Sequence, residues 1–585
     1  MLQFFKYVLA TIVGLFSFII FFVLLGALLS PGEDLPEVKE GSVLKLNLNR
    51  PITELSEEDP FEELDLPLAS SAGSLSLIDL LQSIQYAKGD ENIKGIYLDA
   101  RYTAAGFATL QELRDALLDF KKSGKFIVAY GEIYTEGAYY LASTADQIHL
   151  NPIGLIELNG LSSEVPFIKG TLEKLEVKPL VFKVGDFKSA VEPFFLDKMS
   201  DANREQVTSY LNSIYDLYLK NVAESREIDL EQLRQISDSM LVRNAETAIQ
   251  YKLITNISYE DEAQEAIKSL LKLKKDEKIE YIGFKNYSKV AKAKGAKKGK
   301  NRIAVIVAEG EIVDGQGDNT NIGGDRFAEE IRKARLNKDI KAVVLRINSP
   351  GGSALASDIM WREVQLLKKE KPVIASMSDL AASGGYYMAM GCDTIVAQPN
   401  TITGSIGIFG VLFEAEDLLK NKIGVTTDRV NTGVFSDLGN PSRKMTEAEK
   451  EIIQNQVNRG YEIFTTKAAE GRNMPIEALL KVASGRVWTG AQAKERGLVD
   501  ILGNLDDAIA LAAQKAGIAD DYRIRIYPAK QSFIDRLLKR NSPESVKQKM
   551  IQDEMGEFYT YYQQAKRLQN LRGIQARLPF EVVFK

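Results

Sequence analysis

Ile93-Lys94-Gly95-Ile96-Tyr97-Leu98 reads again as Ile340-Lys341-Ala342-Val343-Val344-Leu345, 247 positions later. The same offset carries Gly137-Ala138-Tyr139-Tyr140-Leu141-Ala142 onto Gly384-Gly385-Tyr386-Tyr387-Met388-Ala389, and Asp146, Ile148 and Pro152 onto Asp393, Ile395 and Pro399. Met199-Ser200-Asp201-Ala202-Asn203-Arg204-Glu205 returns as Met445-Thr446-Glu447-Ala448-Glu449-Lys450-Glu451 after 246. A nearly constant offset over so long a span marks an internal duplication. In the second copy Ile303–Val307, Ala342–Ile347, Val373–Met377 and Thr394–Ala397 read as buried strands. Asp325–Arg335, Ala354–Lys369 and Gly384–Met390 read as helices between them. Such alternation predicts a layered α/β domain, present twice in tandem.

At 585 residues the chain is too long for one core. Five segments are expected: an amino-terminal tip and anchor (1–30), a first repeat (31–288), a lysine-rich solvated linker (289–301), a second repeat (302–540) and a tail (541–585). Tyr7 to Leu29 is uncharged and almost wholly apolar. At about 1.5 Å per residue it spans roughly 35 Å as a helix, enough to cross a bilayer core. A cleaved signal peptide is the rival reading, but its apolar region is usually shorter, about 7–15 residues, and no clear A-x-A site follows. Lys6 precedes the span and Glu33, Asp34, Glu37 and Glu40 follow it, which puts the amino terminus in the cytoplasm. Glu54 to Asp65 reads as an acidic surface loop. Ser542 to Asn570 reads as a charged amphipathic helix, and Leu578 to Val583 as a strand or docking arm.

A net charge of −6 gives no reason to expect nucleic-acid binding. The one cysteine, Cys392, cannot form an internal disulfide. The one histidine, His149, lies in the apolar run Gln147-Ile148-His149-Leu150 and reads as a satisfied or exposed strand residue. A His-rich metal site is excluded, and no cofactor is expected. A hydrolase built from this chain needs a general base other than histidine.

Asn348-Ser349-Pro350-Gly351-Gly352-Ser353 ends a strand and precedes a helix, leaving N–H groups open to an oxyanion or forming only a turn. Asp379-Leu380-Ala381-Ala382-Ser383-Gly384-Gly385-Tyr386-Tyr387 sets one serine among small residues at a helix start, where it is a nucleophile or an N-cap. Thr401-Ile402-Thr403-Gly404-Ser405-Ile406-Gly407 offers a second serine, while Gly485-Arg486-Val487-Trp488-Thr489-Gly490 reads as ordinary turn and cap chemistry. The first copy has Glu136 where Ser383 stands, Leu158 at Ser405, and Thr103-Ala104-Ala105 at the Pro-Gly-Gly turn. Conversely, Val184-Gly185-Asp186-Phe187-Lys188-Ser189-Ala190 aligns with a stretch in which Lys188 faces Ser436. The losses are complementary: a serine survives in one copy and a lysine in the other. A serine needs a base, and a lysine serves if burial lowers its pKa.

These motifs resemble the long, two-copy form of the bacterial signal peptide peptidase A family, which uses a Ser–Lys dyad. The segments that carry the resemblance are Gly185 to Pro193, Ser349-Pro350-Gly351-Gly352, Ala382-Ser383-Gly384-Gly385-Tyr386 and Thr403-Gly404-Ser405-Ile406-Gly407. The resemblance implies two tandem Clp protease/crotonase-like domains behind one transmembrane helix. It implies Ser383 as nucleophile, Lys188 as general base, Ser405 as the residue orienting the lysine, and Gly384, Gly351 and Gly352 as oxyanion donors. It further implies signal-peptide remnants as substrates and a homotetramer on the outer face of the inner membrane. Two alternatives stand beside it: a crotonase-type acyl-CoA enzyme and an inactive membrane scaffold with a protease fold.

Overall fold

Strands Ile93–Asp99 and Ile340–Ser349 are buried almost throughout, as strands covered on both faces are. In the computed structural model each is central to its own sheet. The structure describes residues 35–56, 73–295, 299–318, 320–519, 521–528 and 574–578, with scattered positions before residue 19 and Met555. The span read at Tyr7–Leu29, the helix read at Ser542–Asn570, most of the acidic run after Glu54 and residues 579–583 lie outside the described residues. Among the described residues no helix is long and apolar enough to cross a membrane.

The first sheet runs Asn256–Ile257, Gln147–Ile156, Phe126–Tyr134, Ile93–Asp99, Ser42–Asn47, Tyr281–Gly283, all parallel. The second runs Val487–Thr489, Ile402–Gly404, Val373–Ala382, Ile340–Ser349, Asn301–Glu309, Tyr522–Tyr527, with Thr394–Ala397 also beside Val373–Ala382. Helices recur at the duplication's offset: Phe107–Lys121 with Ala354–Lys368, Glu136–Ala142 with Gly384–Ala389, and Asp201–Arg226 with Glu447–Arg472. The fold is α/β and duplicated.

A third sheet, unforeseen from sequence, joins the copies in the order Asn321–Gly323, Glu311–Val313, Gly351–Ser353, Ile574–Arg577, Phe409–Glu414, Lys178–Lys183. Its last pair is antiparallel and crosses between copies, with Lys183 opposite Phe409 and Lys178 opposite Glu414. Leu180 and Phe182 share one face of the crossing strand and are buried in the second copy's core. Burial of each contributes roughly 1.5–3 kcal/mol. That strand carries the chain out of the first copy and delivers Lys188 five residues later.

Three expectations need correction. The lysine-rich stretch is not wholly a linker: its first six residues belong to the helix Phe284–Lys294, which buries Tyr287, Val290 and Ala291. Glu54 does not begin a surface loop. It is 1% exposed and bonded to Arg346. The Pro-Gly-Gly segment is not a free turn, because Gly351–Ser353 is a strand with neighbours on both sides.

Candidate active site

Lys188 follows a tight passage held by the second copy. Phe187 N–H donates to the Ser484 carbonyl (3.2 Å) and Asp186 N–H to Ser484 Oγ (3.2 Å). Gly185 has φ +95°, and a Cβ there would stand 2.4 Å from the Ser484 oxygen, so only glycine fits this approach. Behind the lysine, Gln206 Nε2 donates to the Phe187 carbonyl (3.1 Å) and Ser189 Oγ (2.9 Å), and Ser189 donates to Asn203 Oδ1 (2.9 Å). Glu192 accepts from Asn203 Nδ2 at 2.9 Å. The Lys188 side chain is 0% exposed, beside the ring of Phe409. Burial holds its pKa well below the ordinary 10.5.

Lys188 Nζ lies 2.9 Å from Ser383 Oγ, 3.0 Å from Ser405 Oγ and 3.2 Å from the Ser405 carbonyl. A neutral amine has two N–H groups and one lone pair. In that form the two hydrogens can go to the Ser405 oxygens and the lone pair to the Ser383 hydroxyl. Ser383 occupies the cap position of the helix Gly384–Ala389, yet its side chain makes no capping bond. The hydroxyl lies beside the amine instead. Its backbone stands at φ +54°, pinned by Ser383 N–H to the Gly404 carbonyl at 2.8 Å. Ser405 is similarly strained at φ +50°, held by its N–H on the Arg486 carbonyl at 2.7 Å. Such conformations cost on the order of 1–3 kcal/mol and cluster where chemistry needs them.

Gly384 opens its helix, where N–H groups have no intrahelical partner. Gly351 and Gly352 differ in their partners. Gly351 N–H donates to Ser349 Oγ (3.2 Å), so it is already engaged. Its φ of +95° turns the strand, and a Cβ there would stand 2.7 Å from Gly384 N. Gly352 is paired on both sides, with Ile312 and with Ala576.

The first copy has lost this site by filling it. Glu136 is buried and its Oε1 accepts from Asn159 N–H (3.0 Å) and Gly160 N–H (2.8 Å), while Thr135 takes the cap role that Ser383 forgoes. His149 is 2% exposed, with Nδ1 on Ser258 Oγ and Nε2 on Gln147 Oε1, a satisfied core residue of the first sheet. Ser436, aligned with Lys188, is exposed in a turn.

Sequence reading missed Ser484, Gly485, Gln206 and Asn203. Gly485 has φ +78°, and a Cβ there would stand 2.7 Å from both Lys188 Cβ and N. Gly485→Ala is therefore expected to shift the lysine and lower kcat by roughly tenfold to a hundredfold, since about 1 Å of misplacement has that effect. Steady-state kinetics at matched folded fraction would check this; an unchanged kcat would mean the loop does not set the lysine's position.

Residues 119–274 and 365–519, one segment in each copy, match the model of Peptidase family S49. Protease 4 of Salmonella typhi is 38% identical over 473 residues, covering 79% of this chain and 75% of that protein. Serine protease SPPA, chloroplastic, of Arabidopsis thaliana is 37% identical over 82% of this chain and 70% of its own. Protease 4 of Haemophilus influenzae is 37% identical over 77% and 75%. A solved ClpP1 mutant from Listeria monocytogenes matches 35% of this chain and 94% of its own at 15% identity and a TM-score of 0.24, which adds nothing to the assignment. The fold and these relatives define a serine-type peptidase acting on peptide substrates. The chain belongs to peptidase family S49, in its long, two-repeat form.

Proposed function

We propose that Ser383 is the nucleophile, Lys188 the general base and later the acid toward the leaving amine, and Ser405 the residue that orients the lysine. Gly384, with the Gly351–Gly352 segment beside it, stabilises the oxyanion. The observation that carries this reading is the 2.9 Å contact between a buried lysine amine and a serine hydroxyl, with burial lowering the amine's pKa. A neutral Lys188 takes the Ser383 proton as Oγ adds to the scissile carbonyl, then returns it to the departing nitrogen. Water repeats the cycle on the acyl-enzyme.

A fluorophosphonate probe tests this directly. It is expected to label Ser383 in the wild type and to label Lys188→Met far more slowly. Labelling and peptide hydrolysis should fall together on acidification, as the amine takes a proton and loses its lone pair. Rates flat from about pH 5 to 9 would remove the lysine as base.

Signal-peptide remnants in the inner membrane are the substrates in this reading. The apolar run Tyr7–Leu29 supports it, as an anchor that holds the site beside such peptides on the outer face. Each repeat, 31–288 and 302–540, is a Clp protease/crotonase-like unit, and four chains assemble into a ring. Degradation of a synthetic signal peptide in vesicles, compared with that of a soluble peptide of equal length, tests the substrate class. Equal rates would set it aside.

A further inference from the structure

Residues 484–487 of the second copy anchor both loops that meet at the amine. The Arg486 carbonyl accepts from Ser405 N–H (2.7 Å) and Gly485 N–H donates to the Ile406 carbonyl (2.8 Å), which holds Ser405. The Ser484 carbonyl accepts from Phe187 N–H (3.2 Å), which holds the residue before Lys188. Val487 N–H donates to Gln206 Oε1 (3.2 Å). Gln206 is 0% exposed and belongs to the first copy's helix Asp201–Arg226. Its Nε2 reaches the other way, to the Phe187 carbonyl (3.1 Å), Ser189 Oγ (2.9 Å) and Asn203 Oδ1 (3.1 Å). One side-chain amide therefore spans from the peptide bond entering Lys188 to the strand Val487–Thr489, whose Val487 lies opposite Gly404.

Main chain on both sides fixes the orientation of that amide. The Phe187 carbonyl can only accept and the Val487 N–H can only donate, so a turned amide would set like against like at each end. The same sense continues behind the lysine. Ser189 donates to Asn203 Oδ1 (2.9 Å), and Asn203 Nδ2 donates to the buried Glu192 carboxylate (2.9 Å), which also accepts from Ser200 N–H (3.2 Å). The charged side chains flanking this junction are Asp186, Glu192 and Glu205 from the first copy and Arg486 from the second, with Glu205 and Arg486 paired at 2.8 Å. The duplication separates this network from what the fold needs. At the offset of 246, Gln206 falls on the half-buried Ile452, and Asn203 on Glu449, which pairs with Arg443 instead. The amide stands in the copy that supplies the lysine.

We propose that Gln206 is a positioning residue for the Lys188–Ser405 pair: its amide sets the spacing between the lysine's backbone and the Ser405 loop, and so holds the amine between Ser383 and Ser405. This rests on the Ser383–Lys188 reading. Gln206 acts through the main chain at both ends. A misplacement of about 1 Å at the amine is enough to lower the rate about a hundredfold. An amine that slips from its place also meets water, which relieves the burial that holds its pKa below 10.5.

Gln206→Met, which keeps the length of the side chain and removes both hydrogen-bonding ends, is the test, read by hydrolysis of a reporter peptide across pH. Ser213→Ala is the control, since Ser213 lies further along the same helix and meets the second copy at Thr489 Oγ1 (2.9 Å). Gln206→Met is expected to lower kcat roughly tenfold to a hundredfold with KM within about twofold, and to move the acid limb of the pH profile to higher pH, as a less buried amine takes its proton sooner on acidification. Ser213→Ala is expected to keep the wild-type kcat and profile. Gln206→Glu, measured beside them at matched folded fraction, still accepts from Val487 N–H but loses the donor end. A carboxylate behind the lysine favours the ammonium form, so the same two changes are expected even if the methionine variant folds poorly. Wild-type kcat in the Gln206 variants overturns this proposal and leaves the dyad standing. A lowered kcat with an unmoved acid limb, or an equal loss in Ser213→Ala, assigns the effect to helix packing and overturns it as well. A wild type whose rate is flat in pH and whose Ser383 takes no fluorophosphonate overturns the dyad, and this proposal with it.

Discussion

Lys188→Met is expected to lower kcat/KM for peptide hydrolysis by at least about a thousandfold, a loss of about 4 kcal/mol of transition-state stabilisation, while the protein still folds. Methionine matches the length of the buried stem but offers no proton acceptor to Ser383. Stability measurements separate this from a folding defect. The lysine's pKa is held well below 10.5 by burial, so between the folded value and 10.5 the unfolded chain binds the extra proton and the native state does not. Stability of the wild type then rises with pH across that window by up to about 1.4 kcal/mol per unit. The methionine variant lacks the term. Its stability relative to wild type is therefore highest at and below the lysine's folded pKa and declines steadily toward pH 10. Orphaning Ser405 Oγ and its carbonyl adds a cost that does not vary with pH in this range, so the slope is the diagnostic. Urea midpoints at three pH values would show it, and parallel curves would mean that Lys188 is charged in the native protein.

The duplication, and with it the α/β class, was legible because strand cores such as Ile340–Leu345 keep their apolar pattern in both copies. The meeting of Lys188 with Ser383 was legible for a different reason. Two copies of one scaffold had each kept what the other lost, and a serine beside small residues in one pointed to a lysine in the other. What stayed hidden depends on partners far apart in the chain. The pairing of Lys178–Lys183 with Phe409–Glu414 leaves no register mark in either segment, since both are short and both end in charge. Ser484 and Gly485 look like any helix-ending turn until the backbone of Lys188 is laid against them. Ile574–Arg577 is a four-residue strand whose partner glycines lie more than two hundred positions earlier. Gly351 and Gly352 are indistinguishable in the sequence, and only the fold gives them different partners, Ser349 for the first and Ile312 with Ala576 for the second.

Glu54 was misread because a carboxylate is normally solvated unless a cation waits inside, and its cation stands 292 positions on. That cation supports the second large effect. Arg346, 0% exposed, spends all five donors: Nε on Glu54 (2.9 Å), a bidentate pair on Glu112 (3.1 and 2.6 Å), and one bond each on Ser376 and Ser378 (both 3.1 Å). Both carboxylates come from the first copy and the arginine from the second, so the triad fastens the halves whose docking brings Lys188 to Ser383. Arg346→Met is expected to destabilise the protein by about 3–5 kcal/mol at neutral pH, because two buried carboxylates lose their counter-charge. Burial pushes the Glu112 carboxyl up even with the arginine present. Without it, the native state holds a proton that the unfolded chain releases above about 4.5. Native protonation at Glu112 favours the variant on acidification, so its deficit should narrow as pH falls from 8 toward about 5. Adding Glu112→Gln should recover part of the loss at neutral pH. Denaturant midpoints for the single and double variants decide the matter. A deficit unaffected by pH and by the second substitution would mean that packing, not charge, gives Arg346 its effect. Fluorophosphonate labelling of Ser383 in the same samples adds the functional readout: if the triad aligns the halves, labelling should fail at lower denaturant in Arg346→Met than in wild type.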